Sequence, residues 1–257
     1  MNPISIIQSQ DPRRLPLEGK ILVAHQPECM PWLGNISKAT MGDVYFILDT
    51  VQFVKEHWQN RNKIRIQGKK GWQWLCIPLK DVSKHIIQTD KVEIAGDFWK
   101  KKHLKAFQLS YQKAPFFDEV FSELSEIYSK EYIFLIDFLV EIILFAFRKF
   151  SITVPVYRTS ELIKQGYTID GVKSELVIKM CKVVNANVFV FGRDGRTYID
   201  KQSFYNSNVN FVFQDYAHPV YNQIHGDFIP QMSFLDLFFN HGSKSIEILG
   251  KSNYLKE

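Results

Sequence analysis

Two apolar runs near the start of the chain, residues 21–24 (ILVA) and 44–48 (VYFIL), set the fold class. In the second, Val44, Phe46 and Leu48 alternate with Tyr45 and Ile47, so neither face of an extended segment there suits water. A strand buried on both faces needs a covering layer on each side, and that is the architecture of an α/β sheet between helices. A third run, 74–79 (WLCIPL), also reads as a buried strand. Strands are expected at 64–67 and 72–79, flanking QGKKG as a hairpin, and at 153–157, 188–191 and 209–213. Helical periodicity marks 35–41, 98–113, 117–128, 131–149, 174–184 and 233–240, with Gly42 and Gly242 as natural stops. The expectation is an α/β chain: a mixed sheet with flanking helices and a helical middle segment. Residues 1–257 read as one domain, with 97–150 as a candidate helical subdomain and 1–19 as a loose leader.

A hydrophobic fraction of 46% with 14% aromatic residues fits a packed globular protein rather than a disordered one. The net charge of +5 suits an anionic ligand but is too small to argue for nucleic acid by itself. Cys29, Cys76 and Cys181 form no CxxC pair, which excludes the usual zinc-knuckle and redox motifs. With an N-terminus that lacks the basic-then-apolar order of an export signal, they indicate reduced thiols in a cytoplasmic protein. The apolar run 132–147 is too short to span a bilayer, and Asp137 and Glu141 interrupt it. Those acids share one helical stripe with Lys130 and Arg148, and the remaining apolar circumference suits burial or a homodimer contact. His218, His225 and His241, with Asp227 and Asp236, match no standard ligand spacing, so neither a metal nor a tightly bound cofactor is expected.

The HQP turn after the first strand and residues 49–62 after the second carry an unusual polar load. Polar groups at the ends of buried strands must be solvated or hydrogen-bonded, so the load reads as a pocket for a polar ligand. His25 is the candidate general base, with pinning of the turn as its alternative role, and Asp49 is the candidate carboxylate that orients it. Gln26 and Gln52 offer donor–acceptor pairs for sugar hydroxyls or a base edge. Lys55 and Arg61 supply charge for a pyrophosphate, Asn60 and Asn62 add hydrogen bonds, and Trp58 adds a stacking face. Tyr221 and His225, alternating with Gln223, are expected to form a second wall. The loop 192–196 (GRDGR) reads either as a plain turn or as a phosphate cradle. Cys29, four residues from His25, leaves a thiol–imidazole pair as a further alternative.

The motifs HQPxxxPWLG at 25–34 and LDxVQFxKxxWxNRN at 48–62, followed by WLxIPL, resemble the WbqC-like family. The likeness continues through HLKAFQLSYQKAPFF, RTSEL, FGRDGRTYID and HPVYNQIHGDFIPQMSFLDLFFNHG, and so spans nearly the whole chain. The chain departs from the family's tendencies at Cys29, Met30 and Arg193. The resemblance implies a role in surface-polysaccharide (O-antigen) biosynthesis. It suggests an N-acyl- or aminoacyltransferase acting on a nucleotide-linked amino sugar, with a non-catalytic sugar-nucleotide or carrier-binding scaffold as the alternative. The partners it implies are a nucleotide-linked sugar and an activated ester or thioester donor, carried by an acyl-carrier protein or as aminoacyl-tRNA.

Overall fold

The computed structural model describes residues 18–81, 87–250 and the backbone of 255–256, so the expected leader lies almost wholly outside the described residues. The six-stranded sheet has the order β5–β2–β1–β6–β7–β8. Its strands are β1 (Ile21–His25), β2 (Val44–Ile47), β5 (Val156–Arg158), β6 (Val188–Phe191), β7 (Asn210–Gln214) and β8 (Leu255–Lys256). β5, β2, β1, β6 and β7 run parallel, and β8 adds antiparallel to β7, which gives the mixed sheet of an α/β protein. A separate antiparallel hairpin pairs β3 (Arg61–Arg65) with β4 (Trp72–Cys76).

Strand alternation divides the core in two. Ile21, Val23, Tyr45, Ile47, Val188 and Val190 face one layer; Leu22, Ala24, Val44, Phe46, Phe189 and Phe191 face the other. On the first face lie α1 (Leu33–Ala39), α2 (Phe98–Tyr111), α3 (Phe117–Ser129), α4 (Leu135–Lys149) and α8 (Phe234–His241), in one continuous cluster with the strand residues. On the second lie α5 (Thr159–Lys164), α6 (Lys173–Val183) and α7 (Lys201–Asn206). A short α9 (Ser245–Gly250) follows α8.

The apolar circumference of α4 is covered within the chain itself. Phe138, Leu139, Ile142, Ile143, Phe145 and Ala146 are all buried, so the helix offers no apolar stripe to a second subunit. Lys130 ends α3 rather than starting α4, and it reaches Glu141 across the intervening turn at 2.7 Å. Among the described residues no helix is long and apolar enough to cross a membrane.

Candidate functional site

The chain leaves β1 toward β2 on one side, whereas β6 is followed by β7 on the other. The sheet therefore has its topological switch point between β1 and β6, where parallel α/β sheets open a crevice beyond their carboxyl ends. A cleft of about 560 Å³ lies there. Ala24, His25 and Gln26 come from the end of β1, Leu48 from β2, Gly192 to Gly195 from β6, and Gln214 and Tyr216 from β7. Trp32, Gly34, Asn35 and Lys38 line it at α1, His57 comes from the loop before β3, and Tyr198 completes the lining.

The His25 Nδ1 lies 2.8 Å from the Gln26 carbonyl oxygen. A carbonyl only accepts, so Nδ1 carries the proton and Nε2 of the neutral ring keeps its lone pair. Burial, and then the Lys38 ammonium, lower the imidazole's pKa to about 3, so the ring is neutral at physiological pH.

Beneath it is a buried polar cluster set by α1, every residue of which is buried. Lys38 Nζ donates to the Ala24 carbonyl at 2.8 Å, and burial pushes its pKa down to about 8 against the opposing pull of Glu28. Asn35 bridges Glu28 and Tyr45, donating to Glu28 Oε2 at 3.1 Å and accepting from the Tyr45 hydroxyl at 2.8 Å. Gln214 Nε2 donates to the Gly34 carbonyl at 3.0 Å and so fixes β7 against α1. The Tyr216 hydroxyl, set edge-on to Trp32, is buried without a protein hydrogen-bond partner.

Burial also pushes the Glu28 carboxyl up to about 7. Below pH 4.5 both folded and unfolded chains hold this proton; between 4.5 and 7 the unfolded chain releases it first. Stability from this group is therefore lost as pH rises through that window. Glu28→Gln keeps an acceptor for Asn35 but does not ionise. The variant is expected to gain about 3 kcal/mol relative to the parent between pH 4.5 and 8. Urea denaturation at the two pH values checks this; a parallel pH dependence of the two proteins would exclude it.

The structure redistributes the residues singled out from sequence. His25 and Gln26 share the cleft. Asp49 does not orient His25: its carboxylate is fully buried and is taken by Arg158, Thr159 and Ser160. The carboxylate nearest the His25 ring is Glu28, whose Oε1 stands 4.0 Å from Nδ1. The HQP turn and the NRN segment do meet, through Asn62 Nδ2 donating to the Met30 carbonyl at 2.6 Å and Cys29 N donating to the Trp58 carbonyl at 2.9 Å. Their functional side chains part, however. Lys55, Asn60 and Arg61 line a different depression, with Cys76, Leu79 and Asp81. Asn62 is fully buried as a clamp on the turn, and Asn60 Nδ2 is held by the Ile77 carbonyl.

Gln52 is exposed outside the lining of the cleft, and Trp58 packs on Trp74. Tyr221 is no pocket wall, because it buries its hydroxyl against Asp236 at 2.9 Å, beside Gln223. His225 turns its Nε2 to the Ser110 carbonyl at 2.7 Å, away from the His25 cleft. Cys29 is fully buried and its thiol is pushed far above the ordinary range by desolvation, which removes it as a nucleophile.

Arg193, from the loop expected to be a plain turn or a phosphate cradle, lines the cleft together with Trp32, Asn35, Lys38, His57, Gln214 and Tyr216. The available signal was Glu28, Asn35 and Lys38 lying between two strands buried on both faces, where polar groups must find one another.

The WbqC-like protein family matches residues 26–248, a span that begins one residue after His25 and takes in every other wall of the cleft except Ala24. Uncharacterized protein Rv1507c of Mycobacterium tuberculosis (strain ATCC 25618 / H37Rv) is 28% identical over 226 residues, covering 87% of this chain and 95% of that protein. No solved structure matches the chain. With a match over nearly all of its length, the chain belongs to the WbqC-like protein family.

Proposed function

We propose that the protein acts in surface-polysaccharide (O-antigen) biosynthesis, transferring an acyl or aminoacyl group to the amine of a nucleotide-linked sugar bound in the His25 cleft. Family membership supports the polysaccharide setting. The observation that carries the reading is the cleft at the switch point, whose lining brings together His25 with its neutral imidazole, Arg193 and the ring of Tyr216. Arg193 grips the pyrophosphate, in the place first expected for Arg61 and Lys55. Trp32 and Tyr198 offer faces for a sugar or base ring.

The amine nitrogen attacks the acyl carbonyl carbon, a C–N bond forms, and the C–O or C–S bond to the donor's carrier breaks. His25 Nε2 takes the amine proton and passes it to the departing oxygen or sulfur. The attacking nitrogen becomes strongly acidic as its bond to carbon forms, so an acceptor as weak as His25 suffices. No resident cofactor enters this scheme; the activated ester or thioester is a co-substrate. The same low basicity also favours a second reading, in which the cleft holds the sugar nucleotide without proton transfer and the protein serves as a scaffold.

A nucleotide-linked amino sugar at saturation is expected to raise the melting temperature by about 5 °C or more, and Arg193→Ala to weaken its binding at least about tenfold. Thermal denaturation and calorimetry measure both. An equal shift with a simple monosaccharide, or none with any sugar nucleotide, would sink both readings of the cleft.

A further inference from the structure

The β3–β4 hairpin presents a surface that the cleft chemistry does not use. Its pleat turns Asn62, Ile64 and Leu75 inward and leaves Arg61, Lys63, Trp72 and Trp74 on the opposite face, with Lys63 directly across from Trp74. Trp58, next to the cleft residue His57, adds a third ring. The ring centres step 5.3 Å from Trp58 to Trp74 and 5.7 Å from Trp74 to Trp72, and all three indoles are partly exposed.

Cations sit among the rings. Arg61 lies 4.4 Å from Trp74, Lys63 lies 4.8 Å from Trp72 and 5.5 Å from Trp58, and Lys70 lies 4.3 Å from Trp72. Arg65, on the same side of the pleat, is instead buried and bound to the Gly71 and Asp227 carbonyls, so it belongs to the fold. Arg61 Nε is enclosed yet has no acceptor in the protein. Glu56 and Asp81 edge only the Arg61 end of this surface.

We propose that this face is a platform for single-stranded nucleic acid, with bases stacking on the indoles and phosphates meeting Arg61, Lys63 and Lys70. Such strands are held by aromatic faces alternating with cations, and bases also stack on guanidinium planes. Neutral glycans also stack on indoles, but their hydroxyls call for amides and carboxylates, whereas the polar groups between these rings are cations. The track ends at Trp58 and His57, which places the end of a bound strand at the rim of the His25 cleft. The platform stands whether or not the cleft performs acyl transfer.

Fluorescence anisotropy with a labelled single-stranded oligouridylate tests it, with duplex RNA, a sulfated glycan and a neutral glucan as competitors. Binding of the single strand is expected to exceed that of the duplex, whose bases are already stacked, and to fall with salt with a slope of about −2 for three cations. Trp72→Ala and Arg61→Gln are each expected to weaken binding about tenfold or more. Lys101→Gln with Lys105→Gln, on the basic face of α2, should change it by less than about twofold. If Trp72→Ala lowers the melting temperature, Lys63→Gln and Lys70→Gln carry the test in its place. Absence of single-strand binding overturns the proposal. So does tighter binding of the neutral glucan, or a loss in the α2 variant equal to that in the hairpin variants, which would mean diffuse charge attraction only.

Discussion

His25→Ala is expected to lower the turnover of acyl transfer by about 10²–10⁴-fold while leaving the affinity for the sugar nucleotide nearly unchanged. The geometry behind this is specific. The Gln26 carbonyl holds the Nδ1 proton at 2.8 Å and so points the free Nε2 pair away from the turn. Because burial and Lys38 hold the ring's pKa near 3, its protonation cannot shape the rate near neutrality. The pH dependence of kcat/KM should therefore show no inflection from His25 between about pH 5 and 8, and should follow release of the substrate ammonium's proton instead.

Lys38→Met is the comparator. Burial lowers the pKa of its amine to about 8 and the residue lines the same cleft, so it is a second group able to accept a proton there. Steady-state kinetics on both variants separate the roles. Full activity in His25→Ala with loss in Lys38→Met would move the base to Lys38, full activity in both would remove both residues from the proton transfer, and sugar-nucleotide binding with no turnover by the parent protein would leave the scaffold reading.

Asp49→Ala is expected to destabilise the fold by about 3–5 kcal/mol, lowering the melting temperature by about 10 °C. The residue follows β2 and gathers the junction of β5 and α5 onto it. Arg158 Nε donates to Oδ2 at 2.8 Å, Thr159 Oγ1 and Ser160 N to Oδ1 at 2.8 Å each, and Ser160 Oγ to Oδ2 at 2.5 Å. Alanine takes the carboxylate from two hydroxyls, a backbone N–H and part of a guanidinium charge at once, and each such orphan is costly away from water. Asp49→Asn keeps the shape but turns an N–H₂ toward one set of donors, so it should lose less. Chemical denaturation of the three proteins checks the order. A stability for Asp49→Ala within about 1 kcal/mol of the parent would mean that water replaces the carboxylate, contrary to its burial.

The strands of the central sheet were legible because periodicity at a strand end is local. Val44 to Ile47 and Val188 to Phe191 are apolar on both faces, and the structure covers both faces. The longer helices α2, α3 and α6 appear within a few residues of their expected bounds, since several turns of amphipathic pattern build up a signal. The six-residue helices α5, α7 and α9 were not anticipated, because fewer than two turns carry too little pattern. Lys130 shows the opposite case: its spacing fits the α4 stripe, but the chain turns there.

The sequence by itself determined an α/β sheet covered on both sides, and a polar turn at His25 and Gln26 leaving its first strand. Only the tertiary structure decided which distant groups meet that turn. Arg193, Gln214 and Tyr216 reach the cleft because β6 and β7 stack beside β1, while Asp49, Tyr221 and His225 are drawn away to buried partners. The physical reason is that a buried polar group must be satisfied by whatever lies next to it in space. Spacing along the chain shows that such a group needs a partner, and strand order selects which one.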